Sequence, residues 1–548
     1  MAKATSVMKQ IRIPLIFIRM RKYFREYCKC SSIHGFRYFG EDRTYFERIW
    51  WFVVFNIVVA GCVYSITLVY EKWNDSPVIV SFDTRETKLD SIPFPAVTIC
   101  PETKSVTSKF NYIDVMLKLK GRKVDANITE IEKRYAEYMS MNCDSNWKFS
   151  GRSNTLPADD FLNFLDEVRP KTIFASCIWR KLPRKCEDLF TPIITDEGIC
   201  YTFNMLDRND LFKENVVQFK NFMTNPAKKK SSWKVEEGYV DQPVNHHQGI
   251  KLDEETYPWR ANFAGVKNAF EVTLVTNKDD LNPVCKNGIH GFKVMLHAPM
   301  RFPLVGDQYF RVPLDETVLG ALQPVKITTS QNVARYKLHQ RQCYIDKTDT
   351  NPLKYFNIYS QLNCNLDCLT TFTLKTCGCV NFYMPRTNGT KICGSKRAPC
   401  MYNAEHYITH VKKKDAVDEK TKTPKGSRCN CMPICSDLSY HIETTQAKWD
   451  WPETFKLLYP NNKKFTKYAQ SKMSFSKLTL YFKASQFVTS KRHELYGFTD
   501  FFANFGGLLG LFTGVSVLSI MEVVYFVTLR LFFNIRLYGR WFITEPEQ

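Results

Sequence analysis

The sequence holds 548 residues, with 76 Lys and Arg against 55 Asp and Glu, a formal charge of +21 and 44% hydrophobic residues. Aromatic residues reach 14% beside only 25 Pro and 23 Gly, which excludes bulk disorder and fibrous repeats. A mean hydropathy of −0.30 excludes a chain made mostly of membrane spans but leaves room for one or two, and 19 cysteines, most of them in one stretch, fit an oxidising compartment better than the nucleic-acid binding that the charge suggests.

Residues 1–48 are basic, with Arg12 interrupting the apolar piece Ile11–Ile18 and Arg19 following it. That piece is too short to span and is expected at the interface or buried. Ile49–Tyr70 has no charge and is long enough to cross a bilayer as a helix, with Trp50, Trp51, Tyr70 and Trp73 at its ends as interfacial aromatics. A signal peptide is excluded as the reading of this run, because a long basic stretch precedes it and no small-residue cleavage site is evident.

Residues 71–495 follow as one large polar region. Phe94–Cys100 and Phe270–Val275 alternate as strands, whereas Tyr355–Leu374 and Tyr459–Ala469 are expected to be helical, so the region is mixed α and β. Ala227–Ser232 and Val411–Lys425 read as solvated charged loops, and His246-His247 as a surface pair. Asn127 and Asn388 begin glycosylation sequons; a third, at Asn74, lies very near the membrane. There is no G-x-S-x-G elbow, P-loop or H-E-x-x-H, so no enzyme, resident metal or cofactor is expected. Cysteines crowd between Cys343 and Cys435, without a C-x-x-C pair that would suit zinc. Cys28 and Cys30 lie before the first apolar run and Cys62 within it, which leaves an even number for disulfides in residues 71–495. Spacing alone does not assign partners.

The second apolar segment, 496–529, contains Phe501–Met521 without a charge, then Glu522, then an apolar stretch to Leu529. Ala503, Gly507, Gly510 and Gly514 fall at i, i+4, i+7 and i+11, one stripe of a helix. Such a stripe serves close helix packing in lipid. It equally serves a pore, where irregular backbone is tolerated beside water and carbonyls replace an ion's hydration shell. Glu522 is an intramembrane carboxylate, a functional candidate by default. Residues 530–548 carry Arg530, Arg536 and Arg540, and basic flanks at both ends predict cytoplasmic termini with 71–495 outside. Much of the positive charge is thereby explained by membrane topology and anionic lipid.

Five segments in order resemble the degenerin/epithelial sodium channel family. They are Ser32-Ile33-His34-Gly35, Phe94–Cys100, Gly198-Ile199-Cys200-Tyr201-Thr202-Phe203-Asn204, the cysteines from Cys343 to Cys435, and Gly514-Val515-Ser516. The wording from Cys377 to Pro385 is most similar to the insect pickpocket branch. The resemblance implies a membrane protein with two transmembrane helices flanking a large disulfide-rich α+β ectodomain of palm, finger, knuckle, β-ball and thumb. In this chain the thumb falls near 343–435, the first helix at 49–70 and the second, with the pore, at 496–529.

It further implies a homo- or hetero-trimer at the plasma membrane that passes sodium, is often blocked by amiloride and answers a sensory stimulus. Gly514, Val515 and Ser516 take the filter position, His34, Gly35 and Ala503 the gating positions, and Asn504, Gly507, Gly510 and Glu522 line the pore. The implied pairs are Cys343–Cys435, Cys364–Cys431, Cys368–Cys429, Cys377–Cys400, Cys379–Cys393, Cys100–Cys200 and Cys177–Cys186, with Cys143 and Cys285 left to each other. Acid-sensing relatives carry Asp where this chain has Asn504, which weakens an outer acidic ring that Asp500 partly replaces. Neither the partner subunits nor an extracellular ligand follows from the sequence. Two alternatives use the same topology. A non-channel glycosylated two-span receptor needs neither the filter nor the intramembrane carboxylate, and an ATP-gated two-span channel lacks these motifs.

Overall fold

The computed structural model describes residues 15–75, 77–120, 128–143, 153–224, 231–235, 237–239, 256–346, 348–410, 429–458 and 472–538. Asn127, His246, His247 and the expected helix Tyr459–Ala469 lie outside the described residues. The chain divides into two compact units, Val80–His493 and the two terminal regions Met1–Ile79 with Glu494–Gln548.

The larger unit is built on two sheets. The eight-stranded sheet runs Val78–Lys88, Gln486–Glu494, Glu316–Thr329, Met473–Phe482, Phe270–Asn277, Phe174–Trp179 and Leu182–Arg184, with Asp437–Lys448 also paired to Glu316–Thr329. The five-stranded sheet runs Phe310–Val312, Phe292–His297, Ala96–Pro101, Gly198–Phe203 and Phe190–Thr195. Their shared core is aromatic. Phe203 stacks on Phe270 with centroids 4.4 Å apart, and Phe94 meets Phe482 edge-on at 5.4 Å.

Two of the sequence motifs serve this core. Asn204 donates its side-chain amide to the carbonyls of Phe94 (2.6 Å) and Trp259 (3.0 Å), and its amide oxygen accepts from Trp259 N–H. It thereby ties together three backbone groups at the edge of this core. Gly198 sits at φ +88° where a Cβ would strike the Asn142 side chain, so only glycine fits that turn.

The thumb-like region is a covalent lattice. The structure joins Cys343–Cys435, Cys364–Cys431, Cys368–Cys429, Cys377–Cys400 and Cys379–Cys393, and elsewhere Cys100–Cys200, Cys177–Cys186 and Cys143–Cys285. Cys364 and Cys368 lie one turn apart on the helix Gln361–Cys377, so one helix face takes both Cys431 and Cys429. This helix starts later than the expected Tyr355. Ser360 caps it, and the Asp367 carboxylate accepts the Tyr355 N–H at 2.7 Å, which holds the buried Tyr355 outside the helix. A second tie is polar. Glu137 on the helix Glu130–Asn142, 3% exposed, accepts from the N–H and hydroxyl of both Ser153 and Ser395.

The terminal unit is helical. Leu15–Cys30 and a single turn at Arg37–Gly40 precede the helix Tyr45–Asp75. After Gly497 come Phe498–Thr513, Val517–Tyr525, a π-helical turn at Phe526–Arg530, and Leu531–Tyr538. Tyr45–Asp75 and Val517–Leu537 are long and apolar enough to cross a membrane. The helix therefore continues beyond the expected limit at Leu529. The sequence reading ended the span at a charge, but Arg530 forms an ion pair with Glu26 and lies over the Phe526 ring at 4.5 Å.

Candidate functional site

The second apolar segment is two helices, not one. Phe498–Thr513 ends where Gly514 adopts φ +68°, with its N–H closing on the Gly510 carbonyl at 2.9 Å. This is a glycine helix stop. Residues 514–516 are non-helical, and Ser516 then caps Val517–Tyr525 by accepting the Ser519 N–H. The carbonyl end of one helix thus faces the break, where the helix dipole favours a cation.

The first half-helix has two unlike faces. Phe501, Phe505, Leu508 and Phe512 recur at i, i+4, i+7 and i+11 and turn toward the helix Tyr45–Asp75. Phe501 meets Trp73 with centroids 5.2 Å apart, Cys62 Sγ lies 4.0 Å from the Leu508 carbonyl oxygen, and Gly61 gives room to the Phe512 ring. At 100° per residue, Ala503, Gly507, Gly510 and Gly514 fall on the opposite side. Ala503, Asn504 and Gly507 are exposed, and a Cβ on Gly506 or Gly507 would meet nothing within 4 Å. The small-residue stripe is therefore not used for packing against the first span; bulky aromatics are. Asn504 donates to the Asp500 carbonyl, and the Asp500 carboxylate accepts the Gly497 N–H at 3.1 Å, which makes Asp500 a cap at the helix start.

The amino-terminal segment closes on the break. His34 donates its backbone N–H to the Thr513 carbonyl at 2.9 Å, and its ring lies where a Cβ on Gly514 would fall, 2.7 Å away. Gly35 has φ +87° and turns the chain beside the Phe55 ring. Ser32 donates its N–H (3.2 Å) and hydroxyl (3.0 Å) to Glu522, and its hydroxyl lies 2.8 Å from that of Ser519. Further along, Tyr23 donates to the Phe526 carbonyl at 2.5 Å, within the π-helical turn, and the Tyr27 ring meets Phe526 edge-on.

His34, Gly35, Gly514, Val515, Ser516 and Glu522 are thus brought together, while Ala503, Asn504 and Gly507 lie along the exposed stripe of the preceding helix. The sequence reading missed Ser519, Tyr23 and the Glu26–Arg530 pair, and saw Ser32 only as part of a motif. One signal was available: Ser519, Glu522 and Phe526 at i, i+3 and i+7 make a single face. In the larger unit Asn388 is exposed, as an acceptor for a glycan must be. Among the described residues no group of three His, Cys, Asp or Glu side chains is placed to hold a metal.

The larger unit also buries charge. Glu197, 4% exposed, contacts Lys293 (2.7 Å), Lys286 (3.3 Å) and Lys104 (3.7 Å). Burial alone would raise the Glu197 carboxyl, but the lysines, Lys104 foremost, hold it down at about 2. Lys104 moves in its disfavoured direction, down to about 8. Its burial outweighs the attraction of Glu197, and Lys286 and Lys293 repel it.

Compared with known proteins, the chain matches the family model described as amiloride-sensitive sodium channel over residues 27–526. It is similar to Pickpocket protein 28 of Drosophila melanogaster, 27% identical over 528 residues that cover 92% of this chain and 78% of the relative. It is similar to Sodium channel protein Nach of the same organism at 21% identity, covering 94% and 89%. It is similar to the Bile acid-sensitive ion channel of Homo sapiens at 20% identity, covering 92% and 85%.

Proposed function

The chain belongs to the amiloride-sensitive sodium channel family, a family of ion channels and not of enzymes, and from that premise we propose that it is one subunit of a trimeric, amiloride-sensitive sodium channel of the plasma membrane. In this reading both termini are cytoplasmic, the disulfide-bonded region is extracellular and glycosylated at Asn127 and Asn388, and a sensory stimulus acting on that region opens the pore. Three copies, identical or related, turn their Ala503–Gly514 stripes to a common axis, with Asn504 beside them. Gly514, Val515 and Ser516 form the filter, His34 and Gly35 brace it from the cytoplasmic side, and Glu522 supplies negative charge below it.

The observation that carries this reading is the division of the helix Phe498–Thr513. Its aromatic face is occupied by the subunit's own first span, while its smallest residues face outward and lead directly to the helix break. A passive anchor gains nothing from such a face or from breaking its own ladder in lipid, where each unpaired backbone group costs several kcal/mol. A lined aqueous path accounts for both.

The test is voltage clamp of the chain co-expressed with related subunits, with and without amiloride. A sodium current blocked by amiloride is expected, and Ala503→Val should raise the resting current severalfold by placing a branched side chain where three stripes approach. If Ala503→Val leaves the resting current of a conducting assembly unchanged, the stripe does not face the axis.

A further inference from the structure

The filter hydroxyl, Ser516 Oγ, is connected to the Glu522 carboxylate through two other hydroxyls, and counting protons fixes the direction of every link. A carboxylate only accepts, so Ser32 Oγ–H donates to Glu522 Oε2 at 3.0 Å. A hydroxyl has one proton, so the 2.8 Å contact between Ser32 and Ser519 is donated by Ser519. Ser519 has then used its proton, and its 3.2 Å contact with Ser516 is donated by Ser516. The backbone closes the account. Ser516 N–H donates to Ser519 Oγ at 3.1 Å, filling its second lone pair, and Ser519 N–H donates to Ser516 Oγ at 3.3 Å. Ser516 Oγ therefore has its proton directed inward and one lone pair left, on an exposed residue.

We propose that Ser32 is a positioning residue for ion selection: it transmits the negative charge of Glu522 through Ser519, so that Ser516 presents an oxygen lone pair rather than a proton to the passing cation. The inference rests on the filter reading above and adds to it a residue from outside the pore helix. Ser519 is fully buried, so water does not substitute for the missing link. Without the Ser32 hydroxyl, the Ser519 proton has no acceptor on that side and turns toward Ser516, whose own proton is then released toward the path. The charge of Glu522 remains, but its influence on the filter hydroxyl is cut.

Two measurements test this, and they fail separately. The first needs no current. In the purified full chain in lipid nanodiscs, Ser32→Ala and Ser519→Ala should lower the thermal midpoint non-additively, the second substitution costing less than about half of what it costs alone; additive losses overturn the relay. The second uses the conducting assembly, with surface protein quantified in parallel. Ser32→Ala should reduce the sodium-over-potassium permeability ratio about two- to tenfold, the range that one net hydrogen bond spans. Ser32→Thr keeps the hydroxyl and should hold the ratio at the wild-type value. An unchanged ratio in Ser32→Ala, or an equal loss in Ser32→Thr, overturns the relay while the channel reading stands. Absence of sodium current in every assembly overturns the channel reading, and with it the role in selection, whatever the first measurement gives.

Discussion

Gly514→Ala puts two separable penalties on the centre of the site. The first is conformational. Gly514 sits at φ +68°, where an L-residue with a Cβ costs about 1 kcal/mol relative to glycine. The second is steric. The new methyl would lie 2.7 Å from two atoms of the His34 ring and 2.8 Å from a third. That ring cannot simply retreat, because the His34 backbone N–H is bonded to the Thr513 carbonyl next door. Relief needs either an off-rotamer side chain or loss of that bond, each about 1 kcal/mol. The sum, about 2 kcal/mol, shifts the balance between clasped and released amino-terminal segment by about 30-fold.

Sodium current per surface channel is the assay, with reversal potential recorded alongside. Gly514→Ala is expected to alter both. Gly378→Ala serves as the control for conformation alone: it has φ +74° and nothing within 4 Å of the added carbon, so it should cost about 1 kcal/mol of stability and leave conduction unchanged. His34→Ala removes the steric partner, so in that background Gly514→Ala should retain only its conformational cost. If Gly514→Ala has the same effect with and without the His34 ring, the clasp is not what the glycine protects.

Further outcomes concern the larger unit. His297 is buried, and because its Nδ1 lies 3.0 Å from the Ala298 carbonyl, which only accepts, that nitrogen carries the proton, while Nε2 lies 2.9 Å from the Thr98 hydroxyl. Burial lowers its pKa from 6.5 to about 4, so its contribution to stability is lost as pH falls from 6.5 to 4, by about 3 kcal/mol. Asp196 runs the other way. Burial, opposed by the Gly306 and Val305 N–H groups and helped by Glu197, raises it from 3.8 to about 6, so acidification over that window adds a similar amount. The two nearly cancel in the native chain. Urea midpoints of the full chain at pH 7 and pH 4.5 should therefore show His297→Gln gaining relative acid stability and Asp196→Asn losing it; parallel shifts in both variants would count against the assignment. Glu197→Gln leaves three buried ammonium groups without their carboxylate and should cost about 3–5 kcal/mol, partly restored by Lys104→Met, as read from thermal midpoints. A loss below about 0.5 kcal/mol would mean that water reaches the cluster.

The parts of the fold legible in the sequence were those governed by local pattern. An uncharged run of span length needs no context to be read as a helix in lipid, and the alternation of Phe270–Val275 was sufficient for a strand. The pairing of cysteines was not legible from spacing, because loop length does not choose among partners; only the likeness to a family suggested it. The start of the helix at Gln361 was hidden because Asp367, twelve residues away, decides where Tyr355 points. The helix of the second apolar segment runs past its expected end for a related reason. A lone Arg in an apolar run reads as an end, and its neutralising partner, Glu26, is some five hundred residues distant. The glycine stripe was legible, but its direction was not, since periodicity gives a face and not what the face meets.

That last distinction bears on how the site works. Gly514 and Ser516 interrupt a helix that would otherwise be continuous, and the interruption leaves backbone groups that must find partners. One of them, the Thr513 carbonyl, is satisfied by His34 of the amino-terminal segment, and the carboxylate below it by Ser32. The break and the clasp are therefore a single device written at two ends of the chain. In the proposed channel, a motion that withdraws residues 32–35 acts on the break directly, through the His34–Thr513 and Ser32–Glu522 bonds.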